Sequence, residues 1–119
     1  MRLSVGLTSN NPIELMTGVT SLVDSRPEGS LWVGEDMGGR HDLFALLAVL
    51  MARARNTRFG IGITSPLYHN ITTIARASAL LAEVGMRAFR LGLGIGGLKE
   101  LAKRGIKVEE PGNALSDAY

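Results

Sequence analysis

Four short apolar runs recur along the chain: Leu3 to Leu7, Leu31 to Gly34, Phe59 to Ile63 and Phe89 to Leu93. Their first residues lie 28, 28 and 30 positions apart, a period that fits a repeated strand–helix unit. Between them the apolar positions follow the 3.6-residue period of a helix. Asn11-Pro12-Ile13-Glu14 predicts a helix start, with Asn as N-cap, Pro at the first helical position and Glu at the third. Leu15, Met16, Val19 and Val23 then form one apolar face. A second helix follows Asp42, with Leu43, Leu46, Leu47, Leu50 and Ala54 at helical spacing. Its opposite face (Phe44, Ala45, Ala48, Val49) is nearly as apolar, so it is expected to be covered on more than one side. Asn70 caps a third helix whose inner stripe is Ile71, Ile74, Ala75, Ser78, Leu81 and Ala82, and Gly85 is placed to end it at C′. After the fourth strand the pattern predicts a glycine turn, a short helix near Leu98 to Lys103, the segment Gly105 to Pro111, and a helix beginning within Asn113 to Tyr119.

Strands alternating with helices of this length pair in parallel through right-handed crossovers. The pattern therefore predicts an α/β fold, one domain over residues 1–119, built as the first four β–α units of a (β/α) barrel. Composition agrees: 45% apolar and 20% charged residues exclude a disordered tail. Fifteen glycines beside three Phe, two Tyr and one Trp suit tight loops and strand ends rather than a helical bundle. The net charge is +2. Arg53, Arg55 and Arg58, and Lys99, Lys103 and Arg104, cluster without interleaved aromatics, which reads as solvated helix ends rather than a nucleic-acid surface. No cysteine is present, so disulfides and thiolate metal sites are excluded. The N-terminus lacks the apolar core of a signal peptide. The longest uncharged apolar run, Leu43 to Ala52, is about half of what a bilayer requires. A cytoplasmic chain that engages neither membrane nor nucleic acid is expected.

Ligands of parallel α/β sheets gather at the carboxyl ends of the strands. Here those ends read Thr8-Ser9-Asn10, Glu35-Asp36, Thr64-Ser65 and Gly94-Ile95-Gly96-Gly97, all polar or bare backbone. Glu35 and Asp36 are adjacent carboxylates suited to orienting a cofactor ring or exchanging a proton. The alternative is that Asp36 turns the chain with Met37-Gly38-Gly39 while Glu35 pairs with Arg40. Gly60 and Gly62 clear one face of the third strand, either for a flat ligand or for a bulky neighbour. Thr64 and Ser65 either bind a ligand or cap the loop. Gly92-Leu93-Gly94-Ile95-Gly96-Gly97 satisfies GxGxxG, but on the fourth strand and before only a short helix. A glycine-rich anion-binding turn is the better reading than a dinucleotide fingerprint. His41 and His69, beside helix starts, read as loop residues or caps rather than metal ligands.

Taken together, Leu31-Trp32-Val33-Gly34-Glu35-Asp36, the helix from Asp42, Phe59-Gly-Ile-Gly-Ile-Thr-Ser-Pro66 and Phe89-Arg-Leu-Gly-Leu-Gly-Ile-Gly96 resemble the luciferase-like monooxygenase superfamily. Within it the chain is most similar to the deazaflavin-dependent branch that includes methylenetetrahydromethanopterin reductase. Asn10-Asn-Pro-Ile-Glu14 and Arg104-Gly-Ile-Lys-Val-Glu-Glu-Pro111 fit that branch too. The resemblance implies a TIM-type (β/α)8 barrel, here as a half-barrel, binding coenzyme F420, or alternatively FMN, at the strand ends. It implies a non-proline cis peptide at Gly62-Ile63 that supports the ring. Thr64 and Ser65 would lie in the loop beside the ring, and Gly94, Gly96 and Gly97 in the turn after strand four. Glu35 and Asp36 map to the acidic end of strand two. Gly6 and Gly97 stand where the reductases carry acids, so their particular substrate is not implied; an F420-dependent oxidoreductase acting on a small organic molecule is.

A closed barrel needs about 250 residues, and this chain supplies four strands of eight. The expected partner is therefore either a missing C-terminal half or a second copy in a homo-oligomer. Two other functions stay open at this point: an FMN-dependent monooxygenase of the same superfamily, and a non-catalytic half-barrel acting as an oligomeric structural module.

Overall fold

The computed structural model describes residues 2–85 and 89–96. The expectations for Gly97, for the helix near Leu98, for the segment to Pro111 and for the last helix lie outside the described residues. Within them the order is β1 (Ser4–Thr8), α1 (Ile13–Asp24), β2 (Ser30–Gly34), α2 (Leu43–Arg53), β3 (Arg58–Thr64), α3 (Ile71–Val84) and β4 (Arg90–Leu93). The strands form one sheet in the order β1-β2-β3-β4, and every neighbouring pair is parallel. This is the α/β half-barrel that the 28-residue spacing predicts.

Alternation along the strands sorts two faces. Leu31, Val33, Phe59 and Ile61 point to the helix side and are buried with Met16, Val23, Leu43, Leu47, Leu50, Ile74 and Leu81. The other face carries Gly6, Trp32, Gly60 and Arg90 in one register row. Trp32 leans over Gly60, where an added Cβ would fall on the indole ring, whereas Gly6 has open space. The bulky-neighbour reading therefore holds for Gly60. Gly60→Ala is expected to displace the indole and cost about 1–2 kcal/mol. Trp32 is the chain's sole tryptophan, so its emission should redden as the denaturation midpoint falls; an unmoved emission maximum would contradict this packing.

Helix α2 is the apolar centre of the helix layer, with Leu43, Phe44, Leu46, Leu47, Leu50 and Met51 all buried. Its coverage is wide but incomplete, since Val49 stays 45% exposed. The predicted caps Asp42 and Asn70 accept from the amides of Ala45 and Thr72, both at 2.8 Å, which satisfies otherwise unpaired donors at each helix start. Four local expectations need correction. Asn11 does not cap α1: its Oδ1 accepts from Thr8 N at 2.8 Å, and the N-cap position falls to Pro12, which has no side-chain hydrogen bond to give. The buried stripe of α1 is Met16, Thr20 and Val23, with Leu15 left exposed. Thr20 enters the core because its hydroxyl donates to Met16 O at 2.7 Å. Gly85 ends α3 with φ −71°, so it uses no left-handed conformation. Ile71, Ala75 and Ala82 lie on the exposed side of α3, because the helix needs only the Ile74–Leu81 stripe to meet α2.

Candidate functional site

The carboxyl ends of all four strands converge through hydrogen bonds between neighbours. Ser9 N donates to Gly34 O, Glu35 N to Ile63 O and Gly94 N to Thr64 O, each at 3.0 Å. The polar tips thus extend the ladder one step beyond the strands. Ser9, fully buried, receives Asp36 N on its hydroxyl at 2.8 Å and donates the same hydroxyl to Asp36 O at 3.3 Å. Ser65, also buried, donates to Ile95 O at 2.9 Å and accepts from Leu67 N at 3.0 Å.

Glu35 and Asp36 part company in this arrangement. The Asp36 side chain takes Gly38 N at 3.0 Å and its carbonyl takes Gly39 N at 2.8 Å, which makes Asp36-Met37-Gly38-Gly39 the turn foreseen as one alternative. Gly39 is required there, since a Cβ would strike Asp36 O. Glu35 does not pair with Arg40. Its side chain is 5% exposed and sits in contact with His69 Nε2, while Thr64 Oγ1 donates to Glu35 Oε1 at 3.2 Å. Because that oxygen accepts, the imidazole donates from Nε2. Phe44 of α2 meets the same imidazole edge-on, with centroids 5.3 Å apart, and fixes the ring from its other side.

His69 is the residue the sequence pattern missed. It reads as a loop residue before the Asn70 cap, which it is, and its carboxylate partner lies 34 positions earlier. The available signal was topological: a His and a Glu at the carboxyl ends of two strands that pair in parallel. No group of three or more His, Asp or Glu residues suited to a metal ion exists among the described residues.

At β3 the peptide bond Gly62-Ile63 is cis, at the position the resemblance implies. The β3–β4 register also shifts between Ile61 and Thr64. Gly62 presents its backbone on the open face; an added Cβ would meet only Trp32 Cε3, at 3.4 Å. Ile63 beside it is 41% exposed. A bare backbone next to an exposed aliphatic side chain makes a flat, largely apolar floor, which fits a planar heteroaromatic ring. Gly94 lies against the tip of Ile63, which a side chain at that position would have to push aside. Gly96 has φ +85° with the Tyr68 hydroxyl standing where its Cβ would be, so both constraints demand glycine.

A family model for luciferase-like monooxygenases matches residues 28–119. The chain belongs to the luciferase-like monooxygenase family. Among solved structures, the coenzyme F420 dependent tetrahydromethanopterin reductase from Methanopyrus kandleri superposes with a TM-score of 0.81 at 14% identity, over 98% of this chain and 37% of that one. Monooxygenase RslO1 from Streptomyces bottropensis superposes with a TM-score of 0.84 at 20% identity, over 99% of this chain and 40% of that one. At these identities the likeness establishes the fold, that of luciferase-like barrels, and the chain spans about two fifths of the length of either neighbour. No curated protein sequence matches the chain. Among the described residues no helix is long and apolar enough to cross a membrane.

Proposed function

We propose that this chain is the cofactor-binding half of an F420-dependent oxidoreductase of the luciferase-like family, acting on a small organic substrate. The observation that carries the reading is the floor at the end of β3: bare Gly62 beside exposed Ile63, rimmed by the carboxyl ends of three parallel strands. One of the two structural neighbours is named for this coenzyme, which supports the choice. A bound deazaflavin supplies a two-electron carrier whose C5 gives or takes a hydride. The chain's own contribution is to bind and orient the ring and to exclude water on one side. Gly62 and Ile63 brace the ring face. Thr64 and Ser65 shape the loop beside it, and the turn at Gly94 and Gly96 passes near the cofactor's tail. Glu35 holds Thr64 and His69 at the rim. Asp36, half-buried at the turn, is the carboxylate left within reach of a reacting substrate, in a proton-exchanging role.

The test is a fluorescence titration of the full chain with F420 and, separately, with FMN. F420 should bind, and Gly62→Val should weaken it at least tenfold, because an isopropyl group would stand on the ring's floor. Unchanged affinity in the variant would refute the site. Binding of FMN alone would move the chain to the flavin-dependent monooxygenases, the kind of name carried by the second neighbour. Binding of neither, with a defined oligomer, would favour a structural module.

A further inference from the structure

The chain's largest side chain stands outside its core. Trp32 is the sole tryptophan, yet β2 contributes Leu31 and Val33 to the helix-side core, and the indole lies half-buried on the open face. Aromatic surface on such a face is what ligand pockets are commonly lined with, so the direction of the ring matters.

Two neighbours on β3 fix that direction. Trp32 is in register with Gly60, and a Cβ built on Gly60 would fall 2.4, 2.5 and 2.9 Å from Cζ3, Cε3 and Cη2. The six-membered ring of the indole therefore lies on bare backbone. Two residues further along, a Cβ built on Gly62 would stand 3.4 Å from Cε3. The indole thus reaches from Gly60 to the amino-terminal boundary of the Gly62–Ile63 floor. On its far side it borders a cavity of about 210 Å³ whose lining includes Ser30, Arg58 and Phe59. It is a partition across the open face.

A planar ring seated on Gly62 stacks at about 3.5–4 Å from the peptide, directly above the place of the missing Cβ. The Cε3 atom lies at contact distance from that same place, and apolar atoms within about 4–4.5 Å touch. A ring centred on Gly62 therefore meets the edge of the indole. We propose that Trp32 is a further cofactor-binding residue, whose indole closes the amino-terminal side of the floor and packs against the bound ring. This rests on the proposed function, since it needs a flavin-type ring on the floor, and it adds a contact supplied by β2. Offset and edge contacts between aromatic rings are favourable beyond the area they bury. Gly60 is what lets the indole lie low enough to make one.

The ligand's own fluorescence tests the contact in the full chain. An excited deazaflavin or flavin draws an electron from an indole only at near contact and then returns it, which shortens the emission lifetime. Energy transfer does not interfere, because the indole absorbs at shorter wavelengths than either ring emits. With F420 bound, the lifetime should be about fivefold or more longer in Trp32→Phe than in wild type, since a phenyl ring packs without donating. Trp32→Leu should weaken F420 binding about fivefold, whereas Trp32→Phe should stay within about twofold of wild type. Equal lifetimes in wild type and Trp32→Phe, with F420 bound to both, would overturn the contact and leave the proposed function standing. Should wild type bind FMN and not F420, the F420 assignment fails and the same lifetime comparison with FMN decides the contact. Binding of neither ring would overturn both. If Trp32→Leu does not fold, the lifetime comparison decides alone.

Discussion

Replacing Asp24 by alanine is expected to destabilise the fold by about 2–3 kcal/mol, which a denaturation curve measures directly. Asp24 is the last residue of α1, where a negative charge opposes the helix dipole, so its presence needs another cause. That cause is the entry to β3. Its Oδ1 receives the amides of Arg55, Asn56 and Thr57 at 3.0, 2.7 and 2.9 Å, and the Thr57 hydroxyl at 2.8 Å. One carboxylate therefore ties the end of α1 to the segment between α2 and β3, and Thr57 is buried. Alanine leaves those donors to water or unpaired, and hydrogen bonds to a charged acceptor are each worth about 1.5–3 kcal/mol without adding in full.

The same contacts set a pH dependence. Partial burial pushes the Asp24 carboxyl up, but the hydrogen bonds from Asn56, Thr57 and Arg55 outweigh it and hold the group below its ordinary value of 3.8. A carboxyl depressed in the folded state contributes stability that is complete above the unfolded value and lost as pH falls through the folded one. Wild type should therefore lose stability below about pH 4 faster than Asp24→Asn. Parallel curves for the two proteins would show that the clip is not ionic.

Glu35→Ala should have the other large effect, about 3 kcal/mol in stability together with at least a tenfold loss of cofactor affinity. The side chain is 5% exposed and serves two partners, His69 and Thr64. Removing one member of a buried pair strands the other, which costs more than the pair's net worth. His69→Ala should cost less, because the imidazole is 22% exposed and leaves Glu35 its bond from Thr64. A double-mutant cycle between the two should return a coupling of about 1–3 kcal/mol. Additive effects would show that the contact does not tie the loop after β3 to the end of β2.

These two sites also mark where reading residues in order stops being enough. Asp24 and Thr57 are 33 positions apart and Glu35 and His69 are 34 apart. Each pair meets only because particular strands became neighbours in a particular register. Trp32 over Gly60 is of the same kind: the paired glycines signalled that something occupies that face of β3, but not that the occupant comes from β2. Local features were readable at once. Asp42 and Asn70 cap helices because the donor lies two or three residues away on the same helix, so no distant part of the chain enters the question. Asn11 misled for the same reason in reverse. Its oxygen had a nearer donor in Thr8 N, inside a turn that the helix-start pattern did not anticipate.

By itself the sequence determined the α/β class, the four strands with the three helices between them, and the gathering of polar and glycine residues at one end of the strands. Period, capping and turn chemistry act within a few residues, and strands of one hydrophobic period with intervening helices have few ways to pair. Tertiary structure alone decided which tips touch: that Glu35 belongs to His69, that Asp36 holds its own turn, and that Trp32 lies over Gly60. Those outcomes depend on register and on side-chain direction across the sheet, where a shift of one residue sends every side chain to the opposite face.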